Sequence, residues 1–117
     1  MITVANRIPV KPEFADKFEE AFQKRLGLVD EMEGFVAYKL LRPSKEDDPY
    51  VVLTFWESEK HFRAWTQSDN FRRQHKKNRM LGDDAFAAPV KLEIHEVAQE
   101  SGAPFALKGD LRAAKFM

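Results

Sequence analysis

The chain has 117 residues and no cysteine, and its 19 basic side chains balance 19 acidic ones for a formal net charge of zero. That length suits one domain with its own core, and the charge balance leaves no global field to attract nucleic acid or an anionic membrane. The missing thiols exclude disulfides, zinc–thiolate sites and any other thiolate metal ligand. The opening MITVANRI has neither a basic n-region nor an apolar h-region, and no apolar run approaches membrane-spanning length. A cytoplasmic protein with no membrane or nucleic-acid partner is the expectation.

Read with period two, residues 2–10 form a strand. Ile2, Val4, Asn6, Ile8 and Val10 share one face, and Thr3, Ala5, Arg7 and Pro9 the other. Pro12 then opens a helix, with Glu13 at the positive end of its dipole. Phe14, Phe18 and Phe22 form its apolar stripe, which Ala15, Ala21, Arg25 and Leu26 widen. Gly27 is a stop. Residues 28–33 suit no single element, and Gly34 marks a turn before a strand over 35–42. Residues 43–49 form a polar hairpin loop.

The strand over 50–57 is apolar on both faces. Ser58 caps the helix that follows, 58–67, in which Phe62 and Trp65 lie three apart. Ser68 or Asp69 is a fresh cap, so the helix breaks and a short one runs over 70–77 with Phe71 and His75 on one face. A loop over 78–88 contains Gly82-Asp83-Asp84. A last strand over 89–98 turns Val90, Leu92 and Ile94 inward and Lys91, Glu93 and His95 outward. The expected domain is 1–98, with 99–117 a tail of no clear period.

The order β-α-β-β-α-β predicts an α+β, ferredoxin-like fold, an antiparallel sheet with two helices on one face. The central strands are apolar on both faces, so the uncovered face calls for a cover. A homodimer, sheet on sheet, is the simplest one, because each buried apolar side chain favours burial by roughly 1.5–3 kcal/mol.

Asn6 is the anomaly. An amide among branched aliphatics must find internal partners or face a cavity. Trp65 reads either as core or as a platform for a flat ligand. His75 reads either as an ordinary helix-end histidine or as a metal ligand. His61 and His95 read as surface residues. Arg72, Arg73, Lys76, Lys77 and Arg79 read as a solvated face or as partners for an anionic ligand. Phe22, near its helix end, could line a cavity, whereas Phe14 and Phe18 read as core.

Asn6-Arg7-Ile8-Pro9-Val10, the Phe-rich helix, Gly34-Phe35, the run Val52-Leu53-Thr54-Phe55-Trp56-Glu57-Ser58, and Ala64-Trp65 through Ser68, Phe71 and His75 together resemble a known group. They are similar to the IsdG-type haem-degrading monooxygenases of the antibiotic-biosynthesis monooxygenase superfamily, over residues 1–98. The coincidence of Asn6, Trp65 and His75 is the specific part. The resemblance implies a dimeric α+β barrel with one haem per subunit, haem being both substrate and cofactor. It implies His75 as the iron ligand, Trp65 pressing the porphyrin into a ruffled shape, and Asn6 as a distal hydrogen-bond donor near dioxygen, with Phe22 beside the ring. Dioxygen and an external electron donor, a protein or a small reductant, would complete the reaction and release iron. Two other readings stay open: a cofactor-independent monooxygenase acting on an aromatic or quinol substrate, and a non-catalytic haem-binding or carrier dimer.

Overall fold

Alternation along the first strand becomes β1, Ile2–Ile8, in a computed structural model that describes residues 1–25, 27–78 and 85–102. Leu26, Arg79, Gly82, Asp83, Asp84 and the tail beyond Gly102 lie outside the described residues. A 3-10 turn, Pro12–Phe14, leads into α1, Ala15–Gln23. Gly27 takes a left-handed φ of 70° and starts a second 3-10 turn, Leu28–Glu31, in the stretch that suited no single element. β2 is Phe35–Leu41, β3 is Tyr50–Trp56, α2 is Glu59–Thr66, α3 is Asp69–Asn78 and β4 is Lys91–Glu96. The four strands form one open antiparallel sheet in the order β2-β3-β1-β4. This is the expected ferredoxin-like α+β arrangement, with its second helical layer split into two short helices.

The split has a local cause. The Ser68 hydroxyl donates to the Trp65 carbonyl at 2.7 Å and accepts from the Phe71 amide at 3.1 Å, so one side chain ends α2 and caps α3. Ser58 does the same work at the start of α2, accepting from the His61 amide at 3.3 Å. Gly34, at φ 81°, lies directly under His61. A Cβ there would meet the imidazole Cγ at 2.1 Å, so only glycine fits. His61 is therefore half-buried rather than solvated, with Nδ1 2.8 Å from the Ser58 hydroxyl.

All the helices cover one face of the sheet. Their cores form two separate clusters. Ile2, Val4, Val29, Trp56, Phe62 and Trp65 pack under α2 and α3, whereas Val10, Phe18 and Tyr50 pack under α1. The opposite face carries Ala5 in register with Leu53 and Ala37 in register with Phe55, flanked by an Arg7–Glu93 ion pair at 2.8 Å. β4 departs from expectation in burial. Leu92 and Ile94 do share the helix-side face with Asn6 and Val4, but Val90 and Leu92 are each 51% exposed, because little covers this edge strand.

Candidate active site

Between the two clusters the sheet face opens into a cavity of about 390 Å³, within the roughly 300–1,000 Å³ range of small-molecule sites. Its floor is Asn6 of β1 with Val52 and Thr54 of β3. One wall is α1 and the residues just after it, Phe18, Phe22 and Arg25. Trp65, Gln74 and His75 form the facing wall. The sequence places Asn6, Phe22, Trp65 and His75 in different elements, and all four meet here. Phe18, read as core alone, is both core and wall.

Asn6 is half-buried, and its amide has no hydrogen-bond partner among the described residues. A ligand that shut water off from that amide without pairing it would lose on the order of 1–3 kcal/mol, so this floor suits a polar ligand. Trp65 is 5% exposed and meets Phe71 edge-on at 5.4 Å. It belongs to the core and to the cavity wall at once. His75 is exposed at its outer edge and packs on the Phe71 ring at 3.9 Å. Its Nδ1 lies 3.0 Å from the Phe71 carbonyl. A carbonyl can only accept, so Nδ1 carries the proton, and Nε2 of the neutral ring keeps its lone pair. That is the tautomer a metal ligand needs.

Arg25 is the residue whose role sequence reasoning missed. It was one more member of the α1 stripe, yet here it is the cavity's cation. Its Nη2 pairs with Asp30 at 3.1 Å and its guanidinium lies 4.1 Å over the Tyr38 ring. Nη1 is buried with no partner. The available signal was a guanidinium placed three residues after Phe22 on an otherwise apolar face. Burial pushes the Tyr38 phenol up, Arg25 partly opposes this, and Asp30 adds to it. Of the basic cluster, Arg72 and Arg73 do not line the cavity, and Arg72 pairs with Asp69 at 2.7 Å; the side chains of Lys76 and Lys77, and Arg79, lie outside the described residues.

Two further contacts shape the walls. Gln74 accepts from the Leu28 amide at 3.2 Å, tying α3 to the turn after α1. Phe86 and Val90 close another side. Their segment is pinned to the end of β1 by Lys11 donating to the Ala85 carbonyl and Ala87 donating to the Pro9 carbonyl, both at 2.8 Å. Outside the cavity, Glu19 clamps α1 to the sheet. It accepts from Arg42 at 2.7 and 2.8 Å and from the Tyr50 hydroxyl. Those bonds, Arg42's first, hold the Glu19 carboxyl down to about 2, and burial together with Glu19 pushes the Tyr50 phenol up to about 12. Among the described residues no three His, Asp or Glu side chains cluster as a self-contained metal site.

Comparison with known proteins gives a consistent picture. The antibiotic biosynthesis monooxygenase family matches residues 1–77. The chain is 42% identical over 78 residues to a heme oxygenase (staphylobilin-producing) of Staphylococcus haemolyticus, covering 64% of this chain and 73% of that protein. It is 33% identical over 99 residues to the heme-degrading monooxygenase HmoA of Bacillus subtilis, covering 83% and 91% respectively. The structure of the heme-degrader MhuD from Mycobacterium tuberculosis, with two hemes bound in its active site, superimposes with a TM-score of 0.70 at 28% identity, covering 87% of this chain and 100% of that one.

Proposed function

The chain belongs to the antibiotic biosynthesis monooxygenase family, and from that premise we propose that it is a haem-degrading monooxygenase. It opens the porphyrin ring with dioxygen and electrons from an external donor, releasing iron and a linear tetrapyrrole. One observation carries the reading: a single cavity joins an imidazole with Nε2 uncommitted, an unpaired buried guanidinium N–H and an unpaired amide. Those three groups match a metal, a carboxylate and an oxygen ligand, and haem offers the first two while its iron activates the third.

In this reading His75 holds the iron through Nε2, and the Phe71 carbonyl keeps the ring oriented. The buried Trp65 indole would lie against the porphyrin and press on it. Arg25 would turn its guanidinium to a propionate, a charge-assisted bond that would give Nη1 an acceptor. Asn6 would offer its amide N–H to an oxygen ligand without titrating, so it would orient that ligand without delivering a proton. Phe18 and Phe22 exclude water from the ring edge. A second copy covers the face that carries Ala5, Leu53, Phe55 and Ala37 by twofold packing and closes the barrel. Residues 1–98 are the working domain. The same proposal places the protein in the cytoplasm, and among the described residues no helix is long and apolar enough to cross a membrane.

The test is spectroscopic. Haemin added to the purified protein should shift the Soret band, and ascorbate under air should bleach it with release of iron. A shifted band that persists would leave a haem carrier. No shift at all would return the protein to quinol-type chemistry. His75→Ala should abolish the shift, and Arg25→Met should weaken haem binding about 10- to 100-fold, since a hydrogen bond to a charged group contributes about 1.5–3 kcal/mol.

A further inference from the structure

The cavity floor holds a second polar group besides Asn6. Trp56 Nε1 donates to Thr54 Oγ1 at 3.0 Å. Trp56 is 0% exposed, so this N–H has no access to water, and an indole can only donate. A threonine hydroxyl has one proton to give and two lone pairs to offer. With one lone pair held by the indole, the hydroxyl rotor is restrained and its proton points away from Trp56. That proton has no acceptor among the described residues.

Thr54 lines the cavity, directly across from Tyr38 on β2 and Val4 on β1. Val52, the register partner of Asn6, is two residues before it on the same strand face. The floor therefore carries two neutral groups able to donate. Neither has an acceptor for its proton among the described residues, and neither titrates near neutral pH.

We propose that Thr54 is a second hydrogen-bond donor to the oxygen ligand that Asn6 receives, and that Trp56 is the positioning residue that aims it. The proposal rests on the haem reading above and adds to it a donor on β3. Two donors from adjacent strands hold a diatomic ligand from two sides, which fixes its direction over the ring more firmly than one amide on a rotatable side chain.

Cyanide, a diatomic anion that binds ferric haem, is the probe. In the haemin-loaded protein, Thr54→Val should weaken cyanide binding about 3- to 10-fold, the range for one lost hydrogen bond. Thr54→Ser, which keeps the hydroxyl, should restore it. Thr54→Val also strands the Trp56 indole, so stability alone would not separate the two roles. The double variant Thr54→Val/Trp56→Phe removes both partners, leaves no polar group buried alone, and should show the same weakened cyanide binding. If a residue serving only the indole were the truth, the double variant would bind cyanide as the wild type does, and the proposal would be overturned. Unchanged affinity in Thr54→Val, or no recovery in Thr54→Ser, would overturn it equally. A wild type that shows no Soret shift with haemin sinks the haem reading itself. An intact shift with unchanged cyanide affinity removes only Thr54.

Discussion

Two stretches of one sheet face, four residues apart along β1, are filled in opposite ways. Around Ile2 and Val4 the face is sealed: Trp56 and Val4 are 0% and 1% exposed, Phe35 and Phe62 meet the Trp56 ring edge-on, and Val29 closes the cluster. Around Asn6 the same face is hollow, because α1 sits on its own cluster with Tyr50 and Val10, and the two helical layers do not meet above the floor. The sealed stretch satisfies its polar atoms internally, as Trp56 does through Thr54. The hollow one leaves the Asn6 amide and Arg25 Nη1 without partners among the described residues. Stability is concentrated at one end and binding capacity at the other.

The comparison can be broken hardest at its sealed end. Trp56→Ala should cost about 3–5 kcal/mol, the range for emptying a core aromatic site, and denaturant unfolding would show it. A loss under 1 kcal/mol would mean the cluster is not what holds the sheet. Gly34→Ala should follow, at about 2 kcal/mol or more. The left-handed φ alone costs roughly 1–2 kcal/mol, and the new Cβ collides with His61 as well. A melting temperature within a degree of wild type would refute that close approach.

Between the two stretches, Glu19→Gln tests the clamp on α1. It should cost about 1 kcal/mol near neutral pH, since its charged partner Arg42 is largely exposed. The sign with pH follows from the lowered carboxyl. The folded protein holds Glu19 ionised at pH values where the unfolded chain binds a proton. The clamp's contribution is therefore complete above the ordinary carboxylate value of 4.5 and is lost as pH falls towards 2. The gap between wild type and Glu19→Gln should close over that window in unfolding titrations. A gap that widens on acidification would contradict the clamp.

The smallest effect should have the opposite sign. Asn6→Leu removes an unpaired amide and adds apolar contact in the hollow, so the ligand-free protein should gain about 0.5–1 kcal/mol. Haem would still bind, but ring opening under ascorbate and air should stop. A destabilised but fully active variant would show that Asn6 belongs to the sealed core after all.

Much of the framework was legible from residue order. The period-two pattern of residues 2–8 put Asn6 on the inner face, where the register with Val52 and Leu92 now places it. Ser58, Ser68 and Gly34 announced their caps and turn through chemistry that acts over three or four residues. Phe22 was recognisable as a cavity candidate from its helix position, whereas His75 read from position alone as an ordinary helix-end histidine and became a candidate through the missing cysteines and the family resemblance. Phe86 was not, because it closes the cavity only through a bridge to Val10, seventy-six residues earlier in the chain. Thr54 was hidden for a different reason: β3 is apolar on both faces, and alternation alone does not say which side faces a hollow. The exposure of Leu92 was equally invisible, since pattern marks a face and not whether anything covers it.

Local backbone geometry thus determined the elements, their faces and the caps, because those depend on side chains a few residues apart. Tertiary structure decided where the helical layers part, and with that which polar atoms find partners. Arg25 shows why: its place on the α1 stripe follows from spacing. That Nη2 reaches Asp30 while Nη1 is left buried over the cavity follows only from how the turn after Gly27 folds back against Tyr38.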